Sequence, residues 1–153
     1  MRKFISLAVV ALLASSMSAQ TIANMKDLNA EKKSAAINLK LTGTLTTTKN
    51  SDFRQLRDLC WQLRNLDLSE ATCPVLPKNA FHSRHHLQHI ILPNQLQEIG
   101  TQAFFACDNL QEVVIPKSVT KVGAAAFSGC KSLKNITIEG TPEIGEFSFA
   151  NLE

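Results

Sequence analysis

"AFFACDNLQEVVIPKSVTKVGAA", residues 103–125, is one full copy of the unit from which this chain is built. It is preceded by "NAFHSRHHLQHIILPNQLQEIGTQ" (79–102) and followed by "AFSGCKSLKNITIEGTPEIGEF" (126–147) and "SFANLE" (148–153). Phe81, Phe104 and Phe127 recur every 23 residues, and Phe149 follows after 22. Six positions after each Phe stand Leu87, Leu110 and Leu133; nine after, Ile90, Val113 and Ile136; eleven after, Leu92, Ile115 and Ile138. Each unit closes on an aliphatic residue and a glycine: Ile99-Gly100, Val122-Gly123, Ile144-Gly145. So many matches at one period identify a repeat protein. A single unit cannot bury its apolar face alone, and stacked neighbours can.

Inside each unit the pattern is L-x-x-[IV]-x-[LI]. It recurs upstream as Leu63, Leu66 and Leu68, and more weakly as Ala36, Leu39 and Leu41. Alternation with period two predicts a short strand with one buried face. Pro93 and Pro116 should end their strands, because proline has no N–H for a ladder. The unit-closing glycines are expected to mark a turn with positive φ. The "AF" segment is expected as a short helical or 3-10 turn on the opposite side. Upstream, "SDFRQLRDLCWQL" (51–63) predicts a helix with Phe53, Leu56, Cys60 and Leu63 on one face, capped by Ser51 or Asp52.

The units "IG..AF..C..L..V.IP..V..VG..AF" resemble a leucine-rich repeat solenoid of the BspA-like family of bacterial surface proteins. "LKLTGTL" (39–45) and "LRDLCWQLRNLDLSEA" (56–71) are similar to that family's N-terminal section. The resemblance covers roughly residues 36–153. It implies an α/β solenoid: a right-handed horseshoe with short parallel strands on the concave face and helical or 3-10 turns on the convex face. It implies export and the binding of other macromolecules, but specifies architecture better than ligand.

"MRKFISLAVVALLASSMSAQ" opens on two cations, Arg2 and Lys3, then an apolar run from Phe4 to Ala14, then small residues. This is the pattern of a secretory signal peptide over 1–19, with cleavage after Ala19. The apolar run is too short to span a bilayer. The expected organisation is then a flexible leader or partial N-terminal cap over 20–35 and a repeat domain over 36–153. Within it, divergent repeats fill 36–78 and 23-residue repeats fill 79–153, the last one incomplete. Without Arg2 and Lys3, the 16 Lys and Arg fall to 14 against 13 Asp and Glu. No basic stripe remains to attract nucleic acid. The expected location is extracellular or at the cell surface, with the periplasm as the alternative.

All four histidines lie in "HSRHHLQH", residues 82–89. In the repeat register, His82 matches Phe105 and Ser128, and His85 matches Asp108 and Lys131. His86 matches Asn109 and Ser132, and His89 matches Glu112 and Asn135. Three of the four places are polar in both sister units, and Leu87 is a core position between them. A solvated surface cluster is therefore expected, against the lesser alternative of a surface metal site at His85 and His86. Cys107 and Cys130 share one repeat position, which Arg84 fills in the first unit. Parallel side chains there predict stacked buried thiols rather than a bridge. A Cys60–Cys73 disulfide is left open.

No phosphate loop, nucleophile elbow, zinc motif or paired carboxylate appears, so no enzyme, cofactor or metal is expected. The outward strand positions are Asn38 and Lys40, Asn65 and Asp67, His89 and Ile91, Glu112 and Val114, and Asn135 and Thr137. Of these, Asn65, Asp67, His89, Ile91, Glu112, Val114, Asn135 and Thr137 are the expected binding face for a protein or cell-surface macromolecule. Ile91, Val114 and Thr137 would form a β-branched row. Such a row is a contact surface, or only the preference of strands for these residues. The alternative function is a structural spacer or fragment of a larger surface protein. "SFANLE" begins a unit that does not continue, which predicts an uncapped edge and end-to-end association through Ile136 and Ile138. The other reading is that this half-turn is a crude cap.

Overall fold

A computed structural model describes residues 20–22, 25, 37–47 and 52–153. The expected signal peptide and most of the expected leader lie outside the described residues. The strands are β1 (Gln20–Ile22), β2 (Asn38–Thr44), β3 (Asn65–Thr72), β4 (Val75–Leu76), β5 (His89–Ile91) and β6 (Glu98–Ile99). They continue as β7 (Glu112–Ile115), β8 (Lys121–Val122), β9 (Asn135–Ile138) and β10 (Glu143–Ile144). One helix, α1 (Asp52–Leu59), lies between β2 and β3.

Among the described residues every strand pairing is parallel, and the strands form two sheets, in the orders β1-β2-β3-β5-β7-β9 and β10-β8-β6-β4. From β3 onward each turn of chain adds one strand to each sheet, as a solenoid requires. The repeat register holds: Asn65 pairs with His89, His89 with Glu112, and Glu112 with Asn135. Leu66, Leu68, Ile90, Leu92, Val113 and Ile115 all point into the core and are buried. The smaller sheet was not expected. Its strands are two residues long; β6, β8 and β10 are built from the aliphatic residue before each closing glycine and the residue before that, and β4 ends on Leu76 before Pro77.

Within 20–35, the expected leader is in part an ordered edge. Residues 20–22 pair with β2 as the first strand of the large sheet, and Met25 is buried in the core.

The "AF" side is a column of rings. Phe81, Phe104, Phe127 and Phe149 stack with centroids 5.3, 5.0 and 5.4 Å apart and interplanar angles of 19°, 7° and 2°. Phe53 of α1 meets Phe81 edge-on at 5.9 Å and 80°. Here Ala80 N–H donates to Pro77 O and Arg84 N–H to Phe81 O, three-residue turns of the expected kind. Between turns, the N–H groups of Asn79, Phe81 and Ser83 donate to the carbonyls of Thr101, Ala103 and Phe105.

The unit-closing glycines need a correction. Gly100, Gly123 and Gly145 are not in the left-handed region; within the 23-residue repeats the positive-φ positions are two residues before and after each Phe, including Asn79, Gln102, Ala125 and Phe147. The glycines are there because adjacent turns touch. A Cβ on Gly100 would sit 2.6 Å from the Leu76 carbonyl oxygen, and one on Gly145 would sit 2.6 Å from the Ala124 nitrogen.

Helix α1 places Phe53, Leu56, Cys60 and Leu63 in the core, as the spacing predicts, although it ends at Leu59. Asp52 is its first residue rather than its cap. The carboxylate accepts from Thr46 N and Oγ1, tying the helix back to the strand before it. Ser51 lies outside the described residues.

Candidate functional site

The outward face of the large sheet carries two ladders of side chains. The first runs Asn38, Asn65, His89, Glu112, Asn135 and is joined laterally. Asn65 Nδ2 donates to Asn38 Oδ1, and His89 Nδ1 lies 3.5 Å from Glu112 Oε1. The second runs Lys40, Asp67, Ile91 and, from Val114 onward, pairs Val114 with Thr137. Lys40 Nζ is 2.7 Å from Glu70 and 3.6 Å from Asp67. The hydrogen bond to Glu70 holds the ammonium above its usual range against partial desolvation, with Asp67 helping.

The sheet brings all eight expected residues onto this face. Asp67, His89, Ile91, Glu112 and Val114 are half-buried, while Asn135 and Thr137 on β9 are exposed. Asn65 is 7% exposed, so it is more a strut than a contact. Its Oδ1 and the His89 Nδ1 are buried without a hydrogen-bond partner in the chain.

The histidine segment is turn and strand, not helix. His85 Nδ1 bonds Asp108 Oδ2 at 2.7 Å, and the His82 ring stacks on Phe105 at 5.1 Å. No group of three or more metal-ligating side chains gathers among the described residues.

All four cysteines are buried thiols, so Cys60 and Cys73 are not bridged. Cys107 Sγ donates to Phe81 O and Cys130 Sγ to Phe104 O, both at 3.0 Å. Each thiol thus reaches back one turn. Burial pushes the Cys107 thiol well up, and pushes the Cys73 thiol, which donates to the Val75 carbonyl, up to about 11. Neither has the depressed pKa of a nucleophile.

A second feature lies outside the expected site. An open groove of about 650 Å³ is lined by Arg57, Asp58, Trp61, Asn79, His82 and Arg84. Sequence reasoning missed it because 57–61 and 79–84 meet only when the turns stack. The available signal was Arg84, which stands where the next two units have cysteine.

Stacked parallel strands, one per turn, around a column of buried Leu, Ile, Val and Phe define a leucine-rich repeat solenoid. Residues 55–153 match the family described as "BspA type Leucine rich repeat region (6 copies)". The chain belongs to this family. No curated protein matches it significantly. Among solved structures, it is similar to the T. pallidum leucine rich repeat protein, at 20% identity and a TM-score of 0.49. That alignment covers 82% of this chain and 66% of that one, just under two thirds of its length. No described helix is long and apolar enough to cross a membrane.

Proposed function

We propose that this chain is an exported, non-catalytic binding module that holds a protein at the cell surface or outside the cell through the outward face of its large sheet. The observation that carries the reading is the pair of ladders. His89 and Glu112 supply hydrogen-bonding and charged groups on one row, and Ile91 and Val114 supply apolar area two residues along. A partner gains specificity from the first and desolvation from the second. The buried Nδ1 of His89 makes no hydrogen bond at normal geometry, its nearest carboxylate oxygen being Glu112 Oε1 at 3.5 Å, and a partner group reaching that row would satisfy it. Membership of a family whose resemblance implies surface-protein binding supports the same reading, as does the signal-peptide pattern of 1–19.

The test compares the native chain with Ile91→Lys/Val114→Lys. Proteins captured from cell-surface extracts by the native chain and identified by mass spectrometry should be lost with the variant. Its circular dichroism should remain native. Equal capture by both would sink the assignment of this face.

A further inference from the structure

We infer that the groove between α1 and the first regular repeat turn is a second binding site, for a carboxylate-bearing saccharide of the hexuronate type. The starting point is Arg84. In the next two turns this repeat position is a buried cysteine whose thiol bonds the carbonyl one turn back. Arg84 does the same structural task, since its Nη1 donates to the Arg57 carbonyl. In the regular turns a cysteine is enough for that task. What arginine adds is a half-buried positive charge, and no carboxylate lies within ion-pairing distance of it among the described residues. A desolvated cation without a counter-ion is costly. An anion in the groove removes the cost.

The other cation of the groove is already satisfied. Arg57 Nε bonds Asp58 at 2.9 Å, and Arg57 Nη1 donates to the Asn79 carbonyl at 3.2 Å. Arg84 Nε, in contrast, is buried with no acceptor. The Nε side of a guanidinium is one edge of the fork that takes both oxygens of a carboxylate. Asn79 Oδ1 is likewise buried with no donor. The unmet needs of the groove are thus one anionic acceptor and one neutral donor. A carboxylate and a hydroxyl on the same small ring meet both, after side-chain rotations of Arg84 and Asn79 toward the opening.

The wall completes the chemistry. Trp61 lines the groove, is 53% exposed, and its ring lies 6.4 Å from the His86 ring between centroids, inclined at 63°. An exposed indole face beside polar groups suits the C–H face of a sugar ring, which is apolar while its rim is hydroxylated. An acidic peptide would use the arginine and could donate a backbone N–H to Asn79, but an acidic side chain offers the flat indole no apolar ring face. Asn79 adopts φ 59°, a conformation asparagine tolerates, so its presence does not itself demand a ligand.

Trp61 is the chain's single tryptophan, so its fluorescence reports the groove alone. The probe is a galacturonic acid trimer, titrated into the purified chain. Controls are the carboxyl-reduced neutral trimer and a tri-glutamate peptide. The expected result is a saturable change in Trp61 emission with the acidic trimer only. Arg84→Cys restores the residue of the next two units and should weaken binding by about tenfold or more, the weight of one charge-assisted hydrogen bond. Asn79→Asp, which places a carboxylate against the ligand's own, should weaken it similarly and serves if the first variant does not fold. Ile91→Lys/Val114→Lys should leave this titration unchanged, which separates the groove from the sheet face. The inference is overturned by no saturable change at millimolar trimer, by equal affinity for the neutral trimer, by tri-glutamate binding as tightly as the trimer, or by unweakened binding in a folded Arg84→Cys or Asn79→Asp chain.

Discussion

Alanine in place of Gly100 should destabilise the solenoid by about 2–3 kcal/mol, because of where the new Cβ would lie. That atom would stand 2.6 Å from Leu76 O, 2.7 Å from Lys78 N and 2.8 Å from Pro77 C. All three are backbone atoms of the preceding turn and cannot rotate away. Reaching ordinary contact at 3.4 Å opens the two turns locally by about 0.8 Å. The Gly100 N–H bond to Leu76 O, now 2.9 Å, would then exceed hydrogen-bond range, and the neighbouring Glu98 N–H bond to Pro74 O starts at 3.2 Å. Two bonds at about 1 kcal/mol each, with looser packing of Leu76 and Ile99, outweigh the gain of about 0.4–1 kcal/mol from restricting the unfolded chain. Gly123→Ala should behave alike. Gly145→Ala should cost less, because β10 is the sheet edge and can lift. The melting temperature of Gly100→Ala should fall by roughly 10 °C. The matched control is Ala125→Gly, at φ 52°, which should be neutral or stabilising by about 1 kcal/mol. A Gly100→Ala chain that melts with the native one would refute the close-approach explanation.

Phe104→Ala should cost about 3–5 kcal/mol by urea unfolding, since its ring is sandwiched on both faces, whereas Phe149→Ala at the end of the column should cost clearly less. Equal losses would mean that the column is not the core. Stability should be full below pH 9.0 and fall as pH rises toward 11, because the buried Cys73 thiol keeps its proton after the unfolded chain has lost it. Cys73→Ala should flatten part of that fall in urea midpoints, and identical slopes would contradict it. The purified chain should associate on concentration through its last turn, where Ile138 is 40%, Ile144 44% and Phe147 73% exposed. Light scattering showing a dilution-insensitive monomer, matching Ile138→Lys/Phe147→Lys, would rule this out.

The strands of the large sheet were legible because their residues alternate in and out at fixed distances from each Phe. That pattern also fixed which side chains share the outward face. The two-residue strands of the second sheet were not legible, since two residues carry no periodicity. The reason for Gly100 and Gly123 was misread because a close approach belongs to the neighbouring turn, not to the local sequence. Positive φ falls instead on Gln102, Ala125 and Phe147, residue types that do not announce it. There the inter-turn hydrogen bonds of 79, 81, 83 and their successors impose the conformation. The groove was hidden for a similar reason: its two halves are separated by a whole turn of chain.

Why the groove lies at this one place follows from how the repeat begins. From Phe81 onward each turn is congruent with the next, and the rings lie within 19° of parallel. The turn before it is different: α1 occupies the place of an "AF" segment, and its Phe53 meets Phe81 at 80°. A helix and a flat turn cannot mate over their whole length, so a cleft remains at the junction. A small thiol at position 84 would leave that cleft deeper and lined by an unmatched carbonyl. Arginine spans it and satisfies the Arg57 carbonyl, but brings a charge that the core turns never carry. In the regular turns the core positions are held by packing and the backbone by inter-turn hydrogen bonds, which leaves the solvent-facing side chains free to differ. Only at the junction is the chain free to place a cation, an indole and an amide around one opening. The two proposed sites therefore have different structural origins: the free positions of the repeat on the sheet face, and the mismatch where the repeat starts.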